Sequence, residues 1–155
     1  MGLRMSAETI SVLGSTGSIG KSTVDILLRY PERFKVKALT GNKNIALLAE
    51  QARKLSAEIA VTADKSLYPE LKKALEGTAV RVEAGSDAVT AAAAEPADRT
   101  VAAIVGAAGL LPAMAVAKQG RTLALANKET LVCAGEIVMK AIKENGTRLV
   151  PVDSE

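Results

Sequence analysis

The chain has 155 residues, which suits one domain, and its 48% apolar content is enough for a buried core that, at 2% aromatics, must be built from Ala, Val, Leu and Ile. A net charge of +3, with bases scattered among acids, leaves no basic stripe that could track a nucleic-acid backbone. The absence of histidine excludes His-based triads and His-ligated zinc, and a single cysteine, Cys133, excludes an internal disulfide or a thiolate metal cluster.

Short β-type runs alternate with helical stretches along the chain. Residues 10–13 form a strand that runs into glycines, and 18–30 read as a helix with Ile19, Val24, Ile26, Leu27 and Leu28 as its apolar face. Pro31 stands just past its end, where a helix cannot easily continue. The bases between 29 and 37 are interrupted by Glu32 and Phe34 and read as a solvated helix end and turn. Residues 34–39 alternate apolar and polar, as a strand does, and 45–54 are helical.

A short third strand follows at 58–61, a helix at 67–75, a fourth strand at 80–82 and an Ala-rich helix at 86–94. Residues 101–105 are the most apolar strand, as expected near the centre of a parallel sheet covered on both faces. A helix at 110–118 accommodates Pro112 in its first turn. A strand at 121–125, a long helix at 128–144 and a last strand at 148–152 complete the order. The apolar setting of Cys133 marks it as a small core residue rather than a nucleophile.

Repeated strand–helix–strand order predicts an α/β fold: a doubly wound, mostly parallel sheet with helices on both faces, Rossmann-like, in a single domain over residues 1–155. No signal peptide opens the chain and no apolar run is long enough to span a bilayer, so a soluble, cytoplasmic protein is expected.

In such folds ligands sit outside the carboxyl ends of the strands. After the first strand comes Gly14-Ser-Thr-Gly-Ser-Ile-Gly20, which opens a helix. Gly14 can turn sharply off the strand, Gly17 can let backbone amides approach a pyrophosphate, and Gly20 can let helix and sheet pack closely. The helix start adds unpaired N–H groups and partial positive charge. The hydroxyls of Ser15, Thr16 and Ser18 could add donors. A purely structural glycine turn is the alternative.

The second strand usually ends in an acid that holds an NAD ribose. Here it ends in Thr40-Gly-Asn-Lys-Asn44, with no acid and with Lys43. A 2′-phosphate would be repelled by an acid and attracted by the lysine, so NADP is favoured over NAD. The alternative is a polar turn with Lys43 solvated.

Further along the same edge, Gly106 to Gly109 offer small residues that would let a flat ring or ribose approach. Asn127, Lys128 and Glu129 place an amide, a cation and an anion at a helix start. Asn127 is either a plain N-cap, with Glu129 offsetting the helix dipole, or a ligand contact. Asp153 and Glu155 stand two apart and would face the same way in an extended segment, as hard-oxygen ligands for Mg²⁺ or Mn²⁺ do. The spacing alone is equally that of a common surface pattern.

Taken together, these segments resemble one family, 1-deoxy-D-xylulose 5-phosphate reductoisomerase. The resemblance rests on Leu13-Gly-Ser-Thr-Gly-Ser-Ile-Gly20, Lys43-Asn44, Ala102-Ala-Ile-Val-Gly-Ala-Ala-Gly-Leu-Leu-Pro112, Leu125-Ala-Asn-Lys-Glu129 and Pro151-Val-Asp-Ser-Glu155, in the family's order. It implies an NADPH-dependent enzyme that rearranges a phosphorylated deoxyketose and reduces the product to 2-C-methyl-D-erythritol 4-phosphate in non-mevalonate isoprenoid biosynthesis. It implies cofactor contacts at Thr16, Gly17, Ser18, Ile19, Gly41, Asn42, Lys43, Asn44, Asn127 and Glu129. Substrate contacts fall at Lys128, Ser154 and Glu155, of which Lys128 and Glu155 are catalytic. Metal ligands for Mg²⁺ or Mn²⁺ fall at Asp153 and Glu155.

The family continues beyond the position of Glu155 with a catalytic domain, which carries a third metal-binding acid, and a C-terminal helical domain. The expectation is a piece of a longer, dimeric enzyme that binds cofactor without turnover. Two other readings stay open: a generic NADP-dependent semialdehyde-type dehydrogenase domain, and a non-catalytic NADP-sensing module.

Overall fold

A computed structural model describes residues 7–152 apart from the side chain of Cys133, so the expectations for Cys133, Asp153, Ser154 and Glu155 lie outside the described residues. The strands are β1 Glu8–Leu13, β2 Phe34–Gly41, β3 Ile59–Thr62, β4 Arg81–Ala84, β5 Arg99–Ala102, β6 Thr122–Leu125 and β7 Arg148–Pro151. The helices are α1 Ser18–Arg29, α2 Ile45–Leu55, α3 Tyr68–Ala74, α4 Ser86–Ala94, α5 Leu110–Ala117 and α6 Lys128–Asn145. The strands form one sheet in the order β4-β3-β2-β1-β5-β6-β7, with every pairing parallel.

From β1 the chain winds outward to β4, then returns to place β5 on the other side of β1. Helices α1, α2 and α3 pack against one another on one face, and α4, α5 and α6 on the other. Each face has its own core. Leu27, Leu48 and Leu71 meet Ile10 and Val12 on the first, while Val116, Val138 and Ile142 meet Leu13, Ala102 and Leu123 on the second. Each fully buried Leu, Val or Ile contributes about 1.5–3 kcal/mol relative to exposure, so a core without large aromatics is still adequate.

The sheet departs from regularity in one place that matters for the site. Ile10 lies opposite Val36, but Val12 lies opposite Leu39, so β2 carries one extra residue there. The bulge returns Leu39 to the face occupied by Val36, which is why strict alternation stops at that point of the sequence.

Three expectations need correction. Helix α1 buries Gly20, Val24 and Leu27, a spacing of four and three that makes one stripe, whereas Ile26 and Leu28 are exposed because they fall off it. Strand β5 ends at Ala102 rather than Val105, and Val105 is exposed. Helix α6 is interrupted at Ala134, whose φ of −143° and ψ of 30° are not helical. At the solvated turn after α1, the Arg33 guanidinium stacks over the rings of Tyr30 and Phe34 at 5.5 and 5.9 Å. Among the described residues, no helix is long and apolar enough to cross a membrane.

Candidate cofactor site

Because the chain winds away from β1 and β5 in opposite directions, the helices that follow them leave on opposite faces. The gap between them is a cleft of about 400 Å³ at the carboxyl edge, within the size range of small-molecule sites. Gly14, Thr16 and Gly17 line it from β1, Gly41 and Asn42 from β2, and Ile104, Val105, Ala107 and Ala108 from beyond β5.

The three glycines of the first loop do different work. Gly14 has φ +82°, and a Cβ there would stand 2.7 Å from the Ala103 carbonyl oxygen, so it lets β1 and β5 close up where the cleft begins. At Gly20 a Cβ would stand 2.1 Å from the Gly14 carbonyl oxygen and 2.5 Å from Ser15 Cα, so the start of α1 lies directly on the loop. Gly17 is the contrast: the nearest atom to its Cβ position is Gly14 O at 3.7 Å. The protein's own packing leaves that position open, which fits a ligand approaching the backbone there.

Gly17 is also the N-cap of α1, with no capping side chain and no acid in the first turn. The amides at the start of a helix need partners. At the starts of α2 and α6 side chains supply them: Asn44 Oδ1 accepts from the Leu47 N–H at 3.2 Å, and Asn127 Oδ1 from the Glu129 N–H at 2.9 Å. Of these three helix starts at the carboxyl edge, α1 is the one shaped for an anion.

Thr16 lines the cleft and Ser18 is exposed at the start of α1, but Ser15 does not donate to a ligand. It is fully buried; its hydroxyl donates to Gln51 Oε1 at 2.7 Å and lies 3.3 Å from the Thr40 carbonyl oxygen. Gln51, on α2, donates in return to the Ser15 carbonyl at 2.9 Å. Thr40 completes the network by accepting from the Gly14 N–H with its hydroxyl and from the Ser15 N–H with its carbonyl.

The loop after β2 is anchored from β3. The buried Thr62 hydroxyl donates to the Asn42 carbonyl at 2.6 Å, and the Ala63 N–H to the Gly41 carbonyl at 2.9 Å. Asn42 lines the cleft, and Asn42, Lys43 and Asn44 are all exposed. The Asp64 carboxyl nearby is held below its usual range, chiefly by hydrogen bonds from the side chain and backbone of Ser66, with the Lys43 charge adding to them.

At the other end, Asn127 is buried and heavily committed. Besides capping α6, its amide nitrogen donates to the carbonyls of Ile104 at 2.6 Å and Gly106 at 3.0 Å. This pull on the Ile104 carbonyl turns the chain out of β5 early. Gly109 likewise serves packing, since a Cβ there would stand 2.6 Å from both Asn127 Nδ2 and the Ile104 carbonyl oxygen. The small residues left facing the cleft are Ala107 and Ala108. Lys128 and Glu129 are exposed at the start of α6, and Glu129 Oε2 reaches to 3.8 Å from the Cβ position of Gly106.

Two contributions were not read from the sequence. One is Gln51. The other is the start of α4, where Ser86 and Asp87 of the first turn and Thr90 just after it line the cleft because the crossover from β4 carries α4 back across β3, β2 and β1. A glycine before that helix, Gly85, was the available signal. Among the described residues, no group of three or more His, Cys, Asp or Glu side chains could hold a metal ion.

A parallel sheet that reverses its winding beside a glycine turn, with an uncapped helix start facing the gap, defines a dinucleotide-binding α/β domain. The profile of the 1-deoxy-D-xylulose 5-phosphate reductoisomerase family matches residues 10–135. The chain belongs to that family. It is 57% identical over 152 residues to the reductoisomerase of Gluconobacter oxydans, covering 98% of this chain and 37% of that protein. Over 150 residues it is 54% identical to that of Cereibacter sphaeroides, covering 96% and 38%. The chain thus spans under two-fifths of the length of these relatives.

Among solved structures, the reductoisomerase from Zymomonas mobilis in complex with NADPH superimposes with a TM-score of 0.95 at 51% identity, over 96% of this chain and 39% of that one. A reductoisomerase in complex with NADPH, fosmidomycin and magnesium superimposes at 0.88 with 36% identity, over 93% and 36%.

Proposed function

We propose that this chain is the NADPH-binding portion, over residues 1–155, of a reductoisomerase that converts 1-deoxy-D-xylulose 5-phosphate to 2-C-methyl-D-erythritol 4-phosphate. The observation that carries the reading is the uncapped start of α1 behind an open Gly17, facing a cleft that Gly41 and Asn42 line immediately before Lys43 in the chain. Relatives solved with NADPH bound support it.

In this reading the amides and hydroxyls of Thr16, Gly17, Ser18 and Ile19 hold the pyrophosphate. Gly41, Asn42, Lys43 and Asn44 hold the adenosine end, with Lys43 neutralising the 2′-phosphate and Asn44 offering its amide Nδ2, since its Oδ1 caps α2. Asn127 and Glu129 border the nicotinamide end, Asn127 through the remaining lone pair of Oδ1, and the alanines at 107 and 108 give a flat, apolar wall. Bound NADPH supplies hydride; the chain's part is to orient it and to exclude water.

Lys128, with Ser154 and Glu155, is proposed for the sugar phosphate, and Asp153 with Glu155 for Mg²⁺ or Mn²⁺. A relative is solved in complex with magnesium. Such an ion would supply Lewis-acid polarisation of a substrate carbonyl. Asp153 and Glu155 lie outside the described residues, and the described residues form no metal cluster of their own. The whole enzyme is proposed to act as a cytoplasmic homodimer.

The test is a titration of NADPH and NADH into the chain and into Lys43→Asp. The variant should lose at least about tenfold more affinity for NADPH than for NADH, because one charge contact to phosphate is worth about 1.5–3 kcal/mol. Equal losses for the two cofactors would show that Lys43 does not meet the 2′-phosphate.

A further inference from the structure

Gln51 is 4% exposed, and both ends of its amide are engaged by one residue, Ser15, which is 36 positions away in the chain. Ser15 lies in the middle of the loop that Gly14 and Gly17 bound. Its hydroxyl and its backbone carbonyl both point away from the cleft, into the protein, where Gln51 and Thr40 receive them. A trans peptide is planar, with its C=O and N–H directed oppositely. Holding the Ser15 carbonyl inward therefore turns the Thr16 N–H outward, and Thr16 lines the cleft. A carbonyl released from Gln51 and swung toward the cleft would present a negative dipole where an anion has to sit.

The bond has a second consequence. Gln51 stands on the same helix that Asn44 caps, and Lys43 precedes that cap. From Asn44 to Gln51 is two turns, about 10 Å of rigid rod at 1.5 Å per residue. Gln51 thereby adds a tie between the pyrophosphate loop and the 2′-phosphate loop to the one that Thr40 makes through the Gly14 and Ser15 N–H groups.

We propose that Gln51 is a positioning residue for the pyrophosphate cradle: from α2 it holds the Ser15 carbonyl inward and so aims the Thr16 amide N–H at the ligand. This rests on the NADPH reading given above. Gln51 touches no ligand itself.

The experiment compares Gln51→Met, which keeps the length and removes the amide, with Gln51→Glu, which keeps an acceptor for the Ser15 hydroxyl and loses the donor to its carbonyl. NADPH, NADH and adenosine 2′-monophosphate are titrated into the 155-residue chain; the last carries the 2′-phosphate and has a free 5′-hydroxyl in place of the pyrophosphate. Both variants should bind NADPH and NADH about tenfold more weakly, by the same factor, as expected for losing one charge-assisted donor. Affinity for adenosine 2′-monophosphate should stay within about twofold, a pattern that general loosening of the domain does not give. NADPH binding within twofold of wild type in either folded variant, or an equal loss for adenosine 2′-monophosphate, overturns the assignment. Failure of the wild-type chain to bind NADPH would instead overturn the reading beneath it, and this one with it.

Discussion

Gly17 and Gly20 stand three residues apart, and an added methyl group at each should have opposite consequences. At Gly20 the methyl would stand 2.1 Å from the Gly14 carbonyl oxygen and 2.5 Å from Ser15 Cα, both backbone atoms that no rotamer change can move. Helix α1 has to back off the sheet, loosening Val24 and Leu27 behind it. Overpacking of this kind costs about 1–3 kcal/mol or more, and the about 1 kcal/mol gained by alanine over glycine in a helix does not offset it when the clash is with backbone. Gly20→Ala should therefore destabilise by about 3 kcal/mol, lowering the melting temperature by about 6–12 °C for a chain of this length. At Gly17, φ of −81° and ψ of −178° suit alanine, and the nearest atom is 3.7 Å away. The poorer N-cap and the stiffer unfolded chain nearly cancel, so Gly17→Ala should leave stability within about 0.5 kcal/mol. Its methyl would occupy the approach to the backbone, and NADPH affinity should fall at least about tenfold. Urea unfolding and calorimetric titration read the two effects separately. The reasoning is refuted if Gly17→Ala binds NADPH normally, or if Gly20→Ala unfolds at the wild-type midpoint.

Other outcomes are equally definite. Asn127→Ala removes the cap of α6 and two bonds to the carbonyls of Ile104 and Gly106; it should cost about 2–3 kcal/mol in urea unfolding and raise amide exchange over residues 103–109, and a cost below about 1 kcal/mol would mean those bonds do little. Thr100 is buried in β5 with a hydroxyl that finds no partner among the described residues, so Thr100→Val should raise stability by about 1 kcal/mol; a loss would show that the hydroxyl is satisfied. The Asp98 carboxyl is held below its usual 3.8 by bonds from the backbone N–H and hydroxyl of Thr9, with Arg121 adding charge. Its contribution is present above the unfolded value and is lost as pH falls through the lower folded one. Asp98→Asn should accordingly flatten the acid limb of melting temperature between roughly pH 2 and 5, and an unchanged slope would contradict the shift.

The winding of the sheet was legible because each strand and helix announced itself locally, by period and by glycine. The functions of Gly14 and Gly20 were legible for the same reason: a strand, a turn and a helix start within a dozen residues leave few geometries. Ser15 was misread as a ligand donor because its partner, Gln51, lies on another helix, and no local pattern says that a glutamine will fold back under a turn. The first turn of α4 was missed because its relevance depends on the crossover passing over β1, a property of strand order. The end of β5 was overrun because Ile104 and Val105 have the composition of a strand, while the group that ends it, the Asn127 amide, comes from beyond the next strand.

The seam between β1 and β5 joins stretches about 89 residues apart, as the bond from the Thr9 N–H to Asp98 marks. Closing so long a loop is paid in chain entropy before any contact rewards it, so this pairing weighs on the speed of folding more than on its final stability. The cleft exists only once that seam has formed. A dinucleotide lying across it binds the folded state alone, and its binding energy goes into clamping together the two halves of the sheet that are hardest to bring together.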